Sequence, residues 1–153
     1  MDDHSDFELE RFLPYKLMQV AERVSSELAA FYREEFGITR PEWRLLAVTG
    51  QGRALIAREL AELTCMDKVK VSRALQGLEV KGLIRRSPSP RDQRAARIAL
   101  TPAGRALYRR MVPRVLEWEH RLAQGLAEGE TRPLVDTLNR LLTQLERMGD
   151  SRR

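Results

Sequence analysis

Apolar residues recur along this chain at two spacings, and the change from one to the other marks out its architecture. Leu9, Leu13, Leu17, Val20, Val24, Leu28 and Phe31 step by 4, 4, 3, 4, 4 and 3 residues, the repeat of one helix face. Pro14 falls inside this stripe. A proline costs about 3 kcal/mol in a helix interior, so the long helix is expected to begin or kink there. Residues 6–13 then form a separate apolar arm (Phe7, Leu9, Phe12, Leu13) with little of its own chain to cover it. Gly37 offers a left-handed cap at the helix end.

The next start is written in Thr39-Arg40-Pro41-Glu42, the Thr-x-x-Glu spacing of a capping box, with Ile38 and Trp43 placed to close a hydrophobic staple. A helix over 40–49 is predicted to bury Trp43, Leu46 and Ala47 and to end at Gly50-Gln51-Gly52. Trp43 on that stripe either fills the core, the commoner place for it, or faces a ligand cavity. A short helix follows over 56–63 with Ile56, Leu60 and Leu63 inward and no good capping side chain at its start. Thr64-Cys65-Met66 makes a turn. Asp67 then caps a helix over 67–81, its carboxylate meeting free amides and the macrodipole. On that helix Val71, Ala74, Leu75 and Leu78 face inward, while Lys68, Val69, Lys70, Ser72, Arg73 and Gln76 face outward.

After Gly82 the spacing changes to two. Leu83 to Arg86 and Arg97 to Leu100 read as strands, with Ile98 and Leu100 on one face. Between them Pro88, Pro90, Arg91, Asp92, Gln93 and Arg94 make an exposed tip, since proline belongs away from a paired ladder. Thr101 is a good N-cap and Pro102 a good first helical residue. Leu107, Met111, Val115, Trp118, Leu122 and Leu126 then step by 4, 4, 3, 4 and 4 residues, so Pro113 must bend this helix or be absorbed by it. Arg105, Arg109 and Arg110 lie on its early turns, near the hairpin. Glu128-Gly129-Glu130 breaks the stripe, and a last helix carries Leu134, Leu138, Leu141, Leu142 and Leu145.

The pattern predicts a mostly α fold with a small β-hairpin wing, a winged helix-turn-helix joined to a helical dimerisation region. Residues 1–36 would be the N-terminal dimerisation arm and helix, 37–101 the DNA-binding domain, and 102–153 the C-terminal dimerisation helices, all in one compact unit. The apolar stripes of the first and last two helices are assigned to a two-fold partner, with Phe12, Leu13, Leu134, Leu138, Leu141 and Leu145 at the interface. Two groove readers on a two-fold axis match half-sites about 34–36 Å apart.

Composition narrows the choice of partner. The chain has 153 residues, 42% hydrophobic and 32% charged, enough for one core with a polar surface. Residues 53–110 hold 14 Lys/Arg against 5 Asp/Glu, a local balance of +9 in a chain of +5. Such a localised excess is the footprint of a nucleic-acid surface. No run approaches the roughly 18 apolar residues of a spanning helix, and the acidic start is no export or transit signal. A cytoplasmic protein without membrane contact is expected. Cys65 is the only cysteine, so no internal disulfide forms. His4 and His120 have no partner at catalytic or metal-ligand spacing, and no phosphate-cradling glycine motif occurs. No catalytic site, metal or cofactor is expected.

The outward face of the 67–81 helix has the groups that groove reading needs. Arg73 can pair bidentately with guanine, Gln76 with adenine and Ser72 with either, and Val69 can meet a thymine methyl. Lys68 and Lys70 suit phosphates. A solvated amphipathic helix would look similar, but the turn before it and the basic hairpin after it favour double-stranded DNA. Arg86, Arg91 and Arg94 extend the basic surface along the hairpin, and an arginine at its tip suits a narrow, electronegative minor groove. Asp92, repelled by phosphate, is expected to orient a neighbouring arginine.

The order helix–turn–helix, GLIRR strand, Pro90-x-Asp92-x-Arg94 tip and Leu100-Thr-Pro-Ala-Gly104 resembles the MarR family of winged-helix transcriptional regulators. FLPYKL (Phe12 to Leu17) and PEWRLLAV (Pro41 to Val48) are similar to a sub-group of it. Gln93 departs from the pattern where another arginine is frequent, which leaves the minor-groove role to Arg94, helped by Arg91. The resemblance implies a homodimer on a pseudo-palindromic operator, released by a small effector, often an aromatic carboxylate or its thioester. It places the effector pocket between the dimer helices and the winged helix, here at Tyr15, Lys16, Tyr32, Trp43, Tyr108 and Met111. A DNA-binding dimer without small-molecule control is the alternative, and an enzyme the weakest reading. A redox-sensing thiol needs exposure and positive neighbours. Cys65 stands near Lys68, but small cysteines in helix turns are more often buried, and the peroxide-sensing branch of the family carries its cysteine in the first helix.

Overall fold

The computed structural model describes residues 7–91 and 94–152. Asp92, expected to support the wing, and His4 lie outside the described residues. The chain divides into two compact units, Met1–Met111 and Val112–Arg153.

In the first unit a 3-10 turn, Leu9–Arg11, precedes helix α1, Leu13–Phe36. Pro14 sits in the first turn of α1, where a missing N–H costs nothing, so the helix begins there and does not kink. It ends at Gly37 with φ 65°, a backbone conformation that suits glycine. Of α1 only Tyr32 is buried. Helix α2, Arg40–Thr49, starts on a complete capping box: the Thr39 hydroxyl accepts the Glu42 N–H at 3.3 Å and the Glu42 carboxylate accepts the Thr39 N–H at 3.0 Å. Its core positions are Leu45 and Leu46. Trp43 and Ala47 are only half-buried, while Glu42, a carboxylate, is buried instead.

Strand β1, Leu55–Ile56, precedes helix α3, Ala57–Thr64. The expected helix start at Ile56 is therefore a two-residue strand, which pairs with a segment distant in sequence. Glu59 stands in for the missing cap by accepting the Ile56 N–H at 2.9 Å. Leu60 is fully buried, but Leu63, expected inward, is 55% exposed. The next position to approach the core is Thr64, whose hydroxyl donates to the Leu60 carbonyl at 2.6 Å. Cys65 then stops the helix in a left-handed conformation, φ 54°, and is exposed, not buried.

Helix α4, Lys68–Val80, follows Asp67, whose side chain accepts the Lys70 N–H at 2.8 Å. Its end is a Schellman turn. Gly82, at φ 68°, donates to the Glu79 carbonyl at 2.9 Å, and Leu83 donates to the Leu78 carbonyl at 2.9 Å. Strands β2, Ile84–Pro88, and β3, Ala96–Leu100, pair antiparallel with Ile84 opposite Leu100 and Arg86 opposite Ile98. β1 pairs with the other side of β3, Leu55 opposite Ile98, so the sheet order is β1-β3-β2. Pro88, expected in the tip, is the last residue of β2 opposite Ala96. β2 is an edge strand, which tolerates a residue without an N–H.

Helix α5, Pro102–Ala123, absorbs Pro113 without interruption. Its start is tied to the end of α4 through Thr101, whose hydroxyl donates to the Gly82 carbonyl at 2.6 Å and accepts the Gly104 N–H at 3.0 Å. In the second unit, helix α6, Thr131–Asp150, has no buried residue. Leu134, Val135, Leu138, Leu142, Leu145 and Met148 are exposed along it and Leu141 is half-buried. No helix among the described residues is long and apolar enough to cross a membrane.

Candidate nucleic-acid interface

α4 is anchored by one buried apolar face and presents a mainly polar one. Val71, Ala74, Leu75 and Leu78 are buried beneath it, fixing the rotation of the helix about its axis. The same rotation leaves Lys68, Val69, Lys70, Ser72, Arg73 and Gln76 all exposed. Val69 is 59% exposed. An apolar side chain kept in water on an otherwise polar face is what contact with a thymine methyl would use.

The hairpin carries the other candidates. Arg86 is oriented by Glu79, its Nε donating to the carboxylate at 2.8 Å, and it lines a cleft of about 290 Å³ with Lys68 and Ser72. Arg91 and Arg94 are exposed at the tip.

Of the six residues proposed for an effector, three rings come together, Met111 lies in the core, and Tyr15 and Lys16 stand apart. Trp43 packs between Tyr32 at 5.8 Å and Tyr108 at 6.4 Å between ring centroids, the second pair nearly parallel. Met111, one turn beyond Tyr108 on α5, is fully buried. Gly50 permits this arrangement, because a Cβ there would lie 2.6 Å from the Tyr108 ring. Burial holds the Tyr32 phenol above its ordinary pKa, against the opposing pull of Arg44 and Arg40. Tyr15 and Lys16 sit on α1 some 16 to 17 residues earlier, about 25 Å along the helix axis. Lys16 is engaged at the surface with Glu10 at 2.9 Å and Gln19 at 3.2 Å. The residues assigned to a partner chain, Phe12, Leu13, Leu134, Leu138 and Leu145, are exposed, and Leu141 is half-buried.

Three residues that hold α4 and the hairpin in place were not legible as functional in the sequence. Glu42, already committed to the α2 cap, also accepts Lys81 Nζ at 2.7 Å, joining the start of α2 to the end of α4. Gly77 makes room for it: a Cβ there would fall on the Glu42 carboxylate. Gly104 plays the same part between α5 and the hairpin, since its Cβ would fall on the Leu83 backbone carbonyl. A glycine inside an amphipathic helix was the available signal, because it costs about 1 kcal/mol against alanine and asks for a packing reason.

Known proteins with this arrangement agree on what it is. The MarR family model matches residues 36–95, from the end of α1 into the wing. A MarR-family transcriptional regulator of solved structure from Silicibacter pomeroyi is 31% identical, with 94% of this chain and 96% of that chain covered and a TM-score of 0.73. The S. aureus MepR–DNA complex is similar at 26% identity and a TM-score of 0.76, covering 88% of this chain and 98% of that one. The homoprotocatechuate degradative operon repressor of Escherichia coli is 27% identical over 141 residues, 92% of this chain and 91% of that protein. With a winged helix-turn-helix whose polar helix face stands clear of the core, the chain belongs to the MarR family of transcriptional regulators, DNA-binding proteins and not enzymes.

Proposed function

We propose that this protein is a homodimeric repressor that binds a pseudo-palindromic operator and leaves it when a small aromatic carboxylate, or its thioester, binds. The observation that carries the DNA reading is the division of α4, with four apolar residues buried and Lys68, Val69, Lys70, Ser72, Arg73 and Gln76 exposed together. Arg73 and Gln76 read base edges, Ser72 and Val69 assist, and Lys68 and Lys70 hold phosphates. Arg86, Arg91 and Arg94 serve the wing, with Asp92 orienting an arginine.

The dimer reading is supported by apolar surface left exposed among the described residues. Leu134, Leu138 and Leu145 lie along one face of α6 and are exposed, as are Phe12 and Leu13 before and at the start of α1, and exposed apolar stretches of this kind mark interaction sites. The effector reading is supported by the cluster of Tyr32, Trp43 and Tyr108 rings, side chains of the kind that line sites for aromatic ligands. The E. coli relative's name, a repressor of a homoprotocatechuate degradative operon, points the same way. A ligand releases DNA only if it prefers a dimer geometry whose two α4 helices no longer match the half-sites. The separation of Tyr15 and Lys16 from the rings favours the second reading, a DNA-binding dimer without effector control.

Fluorescence anisotropy separates the two. Duplex DNA from immediately upstream of the protein's own gene is titrated against a scrambled duplex, with and without a panel of aromatic acids and their thioesters. Specific binding relieved by a panel member is the expected result. Specific binding that no member relieves leaves the regulator without an effector, and binding of neither duplex at low salt defeats the repressor reading.

A further inference from the structure

A second basic surface lies between α4 and the tip of the wing, mostly on residues outside the recognition face. Arg53, Arg58, Arg91 and Arg97 line a cleft of about 740 Å³ between the loop before β1, the first turn of α3 and the tip end of the hairpin. Its one carboxylate among the described residues, Glu59, is bonded to the Ile56 N–H. Arg58 also lines the smaller cleft that holds Lys68, Ser72 and Arg86. The two clefts therefore share Arg58, and cationic side chains line both, from the start of α4 to the wing.

We infer that this cleft, through Arg53, Arg58 and Arg97, takes the phosphodiester strand that separates the two DNA grooves. This rests on the proposed function above. A protein with a helix in the major groove and a wing in the adjacent minor groove must straddle one sugar-phosphate strand. The surface over that strand meets phosphates only. It needs cations that hold position and carry no sequence information. Arginine suits this because its planar fork binds phosphate oxygens in pairs. Arg97 reaches the cleft because it alternates with the buried Ile98 along β3, and it lies opposite Ile56 of β1. The short strand that closes the sheet thus also brings the loop with Arg53 beside the hairpin.

The test is the salt dependence of operator affinity for wild type, Arg58→Ala, the double variant Arg53→Ala/Arg97→Ala, Arg58→Lys and Arg73→Ala. Removing one phosphate-bound cation lowers the slope of log K on log salt by about 0.9, and two symmetric half-sites double that. The expected result is a slope reduced by roughly 1.8 in Arg58→Ala, more in the double variant, with the operator-to-scrambled ratio kept. Arg58→Lys keeps the slope, and melting temperatures like that of wild type exclude misfolding. A wild-type slope in the alanine variants overturns the proposal. So does a collapsed ratio at unchanged slope, which would make these residues base readers. Inorganic pyrophosphate titrated into the free protein tests the other source of phosphate. Tight binding abolished in Arg58→Ala, with the DNA slope unchanged, would assign the cleft to a free polyphosphate and overturn its place on DNA. If wild type binds operator and Arg73→Ala loses discrimination while the cleft variants match wild type, the cleft alone fails. If wild type binds no DNA, the repressor reading fails first.

Discussion

Helices α4 and α6 both carry apolar stripes, yet they meet opposite fates. α4 buries Val71, Ala74, Leu75 and Leu78 in its own unit and leaves a polar face outside. α6 has no buried residue, and its leucines other than the half-buried Leu141 are exposed. A stripe of leucines gains its free energy only when covered, at about 25 cal/mol per Å² removed from water. The α4 stripe is used up in fixing the recognition face. The α6 stripe is available to a second chain. The same periodicity thus encodes a core in one place and, on our reading, an assembly surface in the other.

The sharpest way to test that contrast is to shorten one buried leucine. Leu78 is fully buried, and Leu78→Ala is expected to cost about 2–5 kcal/mol of stability. Because the packing is internal to the unit, the destabilisation seen in thermal unfolding is expected to be the same at low and high protein concentration. A melting temperature that recovers on raising the concentration would show that this core, too, depends on assembly.

Leu138→Asp asks the opposite question of α6. In a monomer an aspartate on an exposed stripe changes stability little. In a dimer it places an unpaired carboxylate in an apolar contact, at about 3 kcal/mol or more, which is roughly 100-fold in the dissociation constant. Sedimentation equilibrium is expected to show a dimer in wild type and monomer in the variant at equal concentration. Unchanged mass would remove the α6 stripe from the interface.

Gly104→Ala is expected to be next in size. The added Cβ would meet the Leu83 backbone carbonyl, and backbone cannot swing aside as a side chain can. A loss of about 1–3 kcal/mol is expected from overpacking. If the site holds the wing as proposed, operator affinity falls with it. Stability unchanged within about 0.5 kcal/mol would show that α5 and the hairpin slide apart easily.

What the sequence disclosed follows the range of the forces involved. The α2 capping box, the Asp67 cap and the inward set of α4 depend on residues within one or two turns, and they are where local spacing puts them. β1 escaped notice because two residues have no period of their own and become a strand only by pairing Leu55 with Ile98. Leu63 was misplaced because a helix of eight residues is too short for a stripe to fix its rotation. The Glu42–Lys81 pair spans 39 positions and depends on the notch at Gly77. In the site, the exposed face of α4 was legible because polarity alone defines it. The clefts were not, since Arg53, Arg58 and Arg97 come from three separate elements.

The smallest effect belongs to α1, which stands between the two regimes. Only Tyr32 of its 24 residues is buried, so this phenol reports where the helix enters the core. Burial raises its pKa from 10.0, and Arg44 and Arg40 only partly oppose the shift. The folded state therefore favours the neutral phenol. That contribution to stability is complete below pH 10 and is lost as pH climbs from about 10 through the folded value, because the unfolded chain gives up its proton first. Chemical denaturation from pH 9 upward is expected to show a decline that Tyr32→Phe makes shallower. Arg44→Ala, by removing an opposing charge, pushes the folded titration higher still. A decline identical in wild type and Tyr32→Phe would mean that the ring is wetter than its packing against Trp43 implies, and that α1 stays apart from the core along its whole length.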